Sequence, residues 1–203
     1  LYVALRDCNI FLENLVSVPG LEEEERQRWL AEVKVLKAFY HFWLLRMYGP
    51  IPTIKTNIYV GASAEEAQVP RESVDDVVEY IVGLLDEVIE SEALPGIINY
   101  IYTEQGRMTL PIAKALKAKI LVLAANPIFN GNIDFNELVD ANGNHLVSQT
   151  YDPNKWILAR DALLEAITTA ESNGHMLYQF TDQLPINGDI DETIIQELSH
   201  RAG

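Results

Sequence analysis

The hexapeptide VKVLKA at Val33–Ala38 returns as AKALKA at Ala113–Ala118, 80 residues later. Each copy runs into an apolar stretch that stops at a proline, Pro50 in the first case and Pro127 in the second. The segments ahead of them match as well: FLENLV at Phe11–Val16, LLDEVI at Leu84–Ile89 and LLEAI at Leu163–Ile167, offset by 73 and then 79 residues. A long period with helical content means stacked hairpins, an A helix followed by a B helix, in which neighbours bury faces that no hairpin buries alone. Two full hairpins are expected, with a third A helix opening at Asp152. Ala38, Ala113, Ala118, Ala124 and Ala125 are small enough for the close helix approach that stacking needs.

Helix signals fill in the unit. From Glu22 the chain runs EEEERQRWLAEVKVLKAFYHFWLLRMYG, with Trp29, Leu30, Val33, Leu36, Tyr40, Trp43, Leu44 and Met47 on one broad face. Phe39 and Phe42 widen that face, so the aromatics are expected to fill the seam between repeats. An acidic first turn suits the positive end of the helix dipole, and Gly49 with Pro50 and Pro52 ends the helix. A second helix opens at Ser73, which has capping-box spacing to Asp76. A third begins TLPIAKALKA, with Pro111 in its first turn. A fourth starts at Asp152-Pro153 and ends at Asn173-Gly174, and Tyr2–Val16 is a fifth. The spacers Ile51–Glu72 and Leu94–Met108 read as long loops, and the alternation around Asn142-Gly143 as a short β-hairpin. The fold class is therefore all-α dominated, tandem helical hairpins with long loops and a small β-hairpin. Residues 1–203 are expected to form a single helical domain.

Charge narrows the partners. Fifteen Lys and Arg against thirty Asp and Glu leave a net charge of -15. Phosphate neutralisation needs clustered cations, so nucleic acid is not expected as a partner, and neither is docking on anionic lipid through charge. The most apolar run, AFYHFWLLRMYGPIPTI, lies between Lys37 and a glycine-proline stop and is broken by Arg46. It is too short for the roughly 18 residues of a spanning helix. Cys8 is the single cysteine, which excludes an internal disulfide and a multi-cysteine metal site; its helical surroundings point to a buried thiol. The opening LYVALRDCNIFLENL reads as the inside of a helix without a secretory signal pattern. A fragment is expected, with any targeting segment upstream.

Catalytic chemistry finds little support. The acidic pairs Glu22–Glu25, Asp75–Asp76, Asp86–Glu87 and Asp189–Asp191–Glu192 fall in first turns or on polar faces, where solvated carboxylates are the ordinary reading. His41, His145, His175 and His200 share no metal-ligand spacing, and His41 sits among core aromatics as a structural histidine would. Asp140–Asn144 has its glycine too early for a calcium loop and lacks the distal bidentate Glu, so it reads as a tight turn. GASAE at Gly61–Glu65 lacks the second glycine of a nucleophile elbow, and no glycine-rich phosphate loop is present. No catalytic, metal or cofactor site is expected. Tyr100 and Tyr102 stand apart: they lie in a spacer, outside any apolar stripe, where exposed tyrosines can stack on sugar rings or peptides. They are the candidate ligand-binding residues.

Taken in order, CNIFLENL (Cys8–Leu15), AEVKVLKAFYHFWLLRMYGPIPTI (Ala31–Ile54), VPRESVDDVVEYIVGLLDEVIE (Val69–Glu90), GRMTLPIAKALKAKILVLAANPIFNGN (Gly106–Asn132) and YDPNKWILARDALLEAI (Tyr151–Ile167) resemble the SusD/RagB family of outer-membrane nutrient-binding lipoproteins. The resemblance covers most of the chain. It implies tetratricopeptide-like hairpins, a lipid anchor at an upstream cysteine and a surface-exposed position at the outer membrane. It also implies a TonB-dependent, SusC-like transporter as partner and an oligosaccharide or peptide as ligand, bound without catalysis or cofactor. Cys8 lies within a helix and is not taken as the lipidated residue. Family members continue into a long C-terminal half, and no binding residue is carried over from them. Two other classes are weighed: a tetratricopeptide adapter, which the long spacers disfavour, and a glycoside hydrolase, which lacks a convergent acid pair.

Overall fold

The computed structural model describes residues 1–177. Within them run α1 (Tyr2–Leu15), α2 (Glu23–Tyr48), α3 (Val74–Glu90), α4 (Ile101–Glu104), α5 (Leu110–Ala125) and α6 (Asn154–Ser172), with a 3-10 turn at Ile133–Phe135. The five long helices are those read from the sequence, while α4 is an extra turn inside a spacer read as loop. α1 packs on α2, α2 on α3, α3 on α5 and α5 on α6. That order is two successive hairpins followed by a third A helix.

The helix ends follow local chemistry. The Ser73 hydroxyl accepts the Asp76 N–H at 3.1 Å and donates to the Asp76 carboxylate at 2.6 Å, which closes the first turn of α3. Gly49 ends α2 with a φ of 70° and donates its N–H to Leu45, a conformation that costs a glycine little. Asp152 caps α6 from one residue further out than expected, its carboxylate accepting the Asn154 N–H at 2.9 Å.

The buried face of α2 is not the one the aromatic pattern suggests. Ala31, Val35, Ala38, Phe42, Leu44 and Leu45 are its most enclosed apolar positions, so Leu44 of the expected stripe is buried, while Phe39, Trp43 and Met47 remain exposed. The reason is the central place of α2, between α1 and α3. Small and β-branched side chains let neighbours approach, and the larger rings are displaced to the flank. There Phe39 meets Trp43 edge-on at 6.0 Å and the Arg46 guanidinium covers Trp43 at 4.8 Å. Of the aromatics in this run, Phe42 does fill the core.

α3 contributes Val74, Val77, Val78, Ile81, Leu85 and Val88 to the same core. Each such aliphatic side chain contributes roughly 1.5–3 kcal/mol when fully buried. The expected alanines are all buried, and Ala159, Ala162 and Ala166 of α6 join them. They make α5 and α6 the most intimate helix pair. Several of the carboxylates read as solvated are exposed and also brace neighbouring helices: Glu87 to Lys34 at 2.7 Å, Asp86 to Lys117 at 2.5 Å and Asp75 to Lys155 at 2.5 Å.

The expected β-hairpin shrinks to one antiparallel bridge between Val139 and His145, and no strand forms among the described residues. Side chains replace the ladder. The Asp140 carboxylate accepts the N–H groups of Asn142 and Asn144, both at 2.8 Å, and the Asn144 amide at 2.9 Å. These bonds hold its carboxyl below the usual range, those from Asn144 most strongly. Beyond the turn the Leu146 carbonyl accepts the Val74 N–H at 2.9 Å, so the segment serves the start of α3 rather than a second strand. Gly131, with φ of 81°, lies where a Cβ would stand 2.6 Å from the Tyr151 backbone nitrogen, which seats this excursion against the approach to α6.

Candidate functional site

Tyr100 and Tyr102 project from the spacer between α3 and α5. Tyr100 caps the N-terminus of α4 and is 72 % exposed, and Tyr102 on that helix is fully exposed. Both rings are free to meet a ligand.

The short helix beneath them is tied to α2 by an ion-pair cluster. Glu104 accepts from Arg28 at 2.8 Å and from Arg107 at 3.0 Å, and Arg107 forks onto both oxygens of Glu32 at 2.9 and 3.2 Å. The Arg28 hydrogen bond is the largest cause holding the Glu104 carboxyl below its ordinary range, aided by both guanidinium charges. Glu32 in turn holds Arg107 still more firmly protonated. Bidentate pairing fixes orientation as well as distance, so the spacer that carries the tyrosines is positioned from two points.

Beside this cluster opens a groove of about 360 Å3, lined by Phe11 of α1, by Glu25, Trp29, Glu32 and Val33 of α2, and by Arg107. The α2 residues follow i, i+4, i+7, i+8 and so share one helix face. Phe11 and Trp29 form its apolar floor, ring centroids 6.3 Å apart and planes inclined by 47°. Trp29 is half-buried there rather than a core residue, as its place in the apolar pattern suggests. Neither Tyr100 nor Tyr102 lines the groove. Sequence reasoning missed the groove because Arg107 reaches Glu32 across 75 positions; the Glu25–Trp29–Glu32 spacing was its one local signal.

At the opposite end of the first hairpin a second groove of about 390 Å3 is lined by Tyr2, Arg6, Ile54, Asn57, Ile58 and Val60. Buried Asn9 organises it, donating to the Ile54 carbonyl at 3.4 Å and to the Asn57 side chain at 3.3 Å.

The other polar candidates have structural explanations. His41 is fully buried; its Nδ1 donates to the Lys37 carbonyl at 2.8 Å and its Nε2 accepts the Ile54 N–H at 3.0 Å. Those partners place the proton on Nδ1 and pin the chain after Pro52 back onto α2. Burial is the main cause that pulls its pKa down to about 4. Buried Lys37 donates to the Lys55 carbonyl at 2.7 Å; burial lowers its pKa. Cys8 is buried as expected, with its thiol pushed up by that burial. His145 and His175 are exposed, and no group of metal-ligating side chains occurs among the described residues. His200 and Asp189–Asp191–Glu192 lie outside the described residues. No described helix is long and apolar enough to cross a membrane.

A SusD-like family model, described as "Starch-binding associating with outer membrane", matches residues 1–120. The chain belongs to the SusD-like family. The solved structure named BT4246 is 32 % identical, with a TM-score of 0.80 over 94 % of this chain and 34 % of its own. A laminarin-binding SusD-like protein is 30 % identical, with a TM-score of 0.51 over 61 % of this chain and 25 % of its own. A SusD-like protein from Bacteroides fragilis, at 21 % identity and TM-score 0.62 over 87 % of this chain and 26 % of its own, shares the fold. The chain thus spans about a third of the length of BT4246. No curated protein matches it. The helical-hairpin architecture is that of SusD-like proteins, one of which is described as laminarin-binding.

Proposed function

We propose that this chain is the N-terminal helical domain of a non-catalytic, surface-exposed glycan-binding lipoprotein. A lipid anchor upstream holds the protein at the outer membrane, and a TonB-dependent, SusC-like transporter takes over the captured oligosaccharide. The observation that carries the reading is membership of the SusD-like family, whose model is described as starch-binding and outer-membrane associated. Exposed Tyr100 and Tyr102, on a spacer held by the Glu104 and Arg107 pairs, supply rings of the kind that stack on sugars. The long structured spacers are also unlike the short uniform turns of an adapter.

Calorimetry of the full-length protein against panels of oligosaccharides and peptides tests this. An oligosaccharide is expected to bind, and replacing both Tyr100 and Tyr102 by Ala is expected to weaken it roughly tenfold or more, about 1.4 kcal/mol, with the melting temperature unchanged. Unchanged affinity in the double variant removes the tyrosines from the site. Copurification of a transporter from detergent-solubilised outer membranes checks the partner, and a purely cytosolic protein would sink the placement.

A further inference from the structure

We propose that the groove between α1 and α2, floored by Phe11 and Trp29 and walled by Glu25, Glu32 and Arg107, holds one neutral pyranose unit of the glycan and excludes acidic sugars. The inference rests on the glycan-binding reading above and assigns it a subsite away from the two spacer tyrosines.

Three properties of the groove carry it. Its volume of about 360 Å3 lies at the small end of the roughly 300–1,000 Å3 typical of small-ligand sites, which suits one ring rather than an extended chain. Its floor is aromatic and partly wet. Phe11 and Trp29 are both accessible, and their 47° inclination leaves a shallow apolar trough. A pyranose presents a face of C–H groups that fits such a surface and releases the water held there. The walls are hydrogen-bonding groups whose orientation is already set. Arg107 fixes Glu32 through two bonds, so the remaining lone pairs of that carboxylate point in a defined direction. Glu25, at the mouth, is exposed and has no ion-pair partner among the described residues. It is an acceptor awaiting a hydroxyl.

Charge decides between sugar classes. Glu25, Glu32 and Glu104 set three carboxylates against the two guanidiniums of Arg28 and Arg107; both guanidiniums are ion-paired with Glu32 and Glu104, and the Arg28 Nε and Nη2 that make no hydrogen bond are buried. A uronate or sulfated unit would bring a further negative charge to a locus with an acidic excess, on a chain of net charge -15. A neutral sugar offers hydroxyl donors to the same carboxylates at no such cost.

The test uses the full-length protein and a named panel: neutral gluco-, manno- and xylo-oligosaccharides, oligogalacturonides, and a lysine-rich tripeptide. The Trp29 contribution to the emission is read as the difference between the unaltered protein and its Trp29→Phe variant. A neutral oligosaccharide is expected to shift the Trp29 emission on titration, and oligogalacturonide is not. Trp29→Ala should weaken the neutral ligand tenfold or more, with Trp29→Phe recovering most of the loss. Glu25→Gln, at an exposed position that cannot unfold the domain, should weaken it severalfold and admit oligogalacturonide. If a neutral sugar binds while Trp29 emission and the Trp29 and Glu25 variants leave it unaffected, the subsite is refuted and glycan binding stands. If no sugar binds the unaltered protein, or only the tripeptide does, the glycan reading falls and takes the subsite with it.

Discussion

α3 and α6 carry the same A-helix pattern, 79 positions apart, and bury it differently. Val77, Val78, Ile81, Leu85 and Val88 of α3 are enclosed, whereas their counterparts Trp156, Ile157, Arg160, Leu164 and Ile167 of α6 are exposed. What α6 does bury is the alanine row Ala159, Ala162 and Ala166, equivalent to Tyr80, Gly83 and Glu87. α3 is held on both sides, by α2 and α5, while α6 has α5 as its one packing partner among the described helices. An apolar stripe is thus a capacity for burial, and the neighbouring helix decides whether it is used. The face an A helix turns to the preceding hairpin and the face it turns to its own B helix are separable, and α6 displays only the first in use.

The sharpest way to break this comparison is to truncate the same leucine twice. Leu85→Ala, at 0 % exposure, is expected to cost about 2–5 kcal/mol. Leu164→Ala, at 57 % exposure, is expected to cost less than about 0.5 kcal/mol. Urea denaturation of the 203-residue chain measures both; equal losses would mean that α6 is covered on this face after all.

The preceding-hairpin face differs in chemistry as well. In α3 it includes Tyr80, whose ring meets buried His41 edge-on at 5.4 Å, and in α6 the equivalent position is Ala159. A buried histidine therefore couples the α3 seat, and not the α6 seat, to pH. His41 is held neutral, with a pKa near 4 against its ordinary 6.5. Its contribution to stability is fully present above pH 6.5 and is lost as pH falls from there through about 4. The linkage amounts to about 3 kcal/mol. His41→Gln should flatten the stability curve within that window, and an unaltered slope would assign the acid loss to carboxylates instead.

How far this was legible beforehand follows from the same contrast. The five long helices could be read from caps, prolines and periodicity, because these are local causes. The side of α2 that faces inward could not. Periodicity locates a stripe of large apolar residues, and on α2 only Leu44 of that stripe is fully buried while Trp43 and Met47 are displaced to the flank by the close approach of two neighbours. The groove at Trp29 was hidden for a related reason, since its polar wall arrives from a spacer whose position depends on Glu104 finding Arg28. The exposure of Tyr100 and Tyr102, by contrast, followed from their standing outside every stripe.

A subtler pair of substitutions separates the two seats. Gly83 in α3 and Ala162 in α6 occupy the same repeat position. A Cβ at Gly83 would meet nothing within 4 Å, so Gly83→Ala is expected to stabilise by about 0.5–1 kcal/mol through helix propensity alone. Ala162 is buried against α5, and Ala162→Leu is expected to cost about 1–3 kcal/mol by overpacking. Opposite signs in thermal melts support a loose α3 seat and a tight α6 seat.

The smallest effect concerns the bond between the two helices. Lys155 of α6 reaches Asp75 of α3 at 2.5 Å, but Asp75 is nearly half exposed. An exposed pair contributes about 0.2–1 kcal/mol, and salt near 1 M shortens the screening length to roughly 3 Å and removes most of it. A double-mutant cycle with Asp75→Asn and Lys155→Met should therefore give a coupling within that range at low salt and close to zero at high salt. Alanine packing on α5, not this pair, then fixes where α6 lies. A coupling well above 1 kcal/mol that survives salt would instead make the ion pair a true second anchor for α6, and the contrast with doubly held α3 would have to be withdrawn.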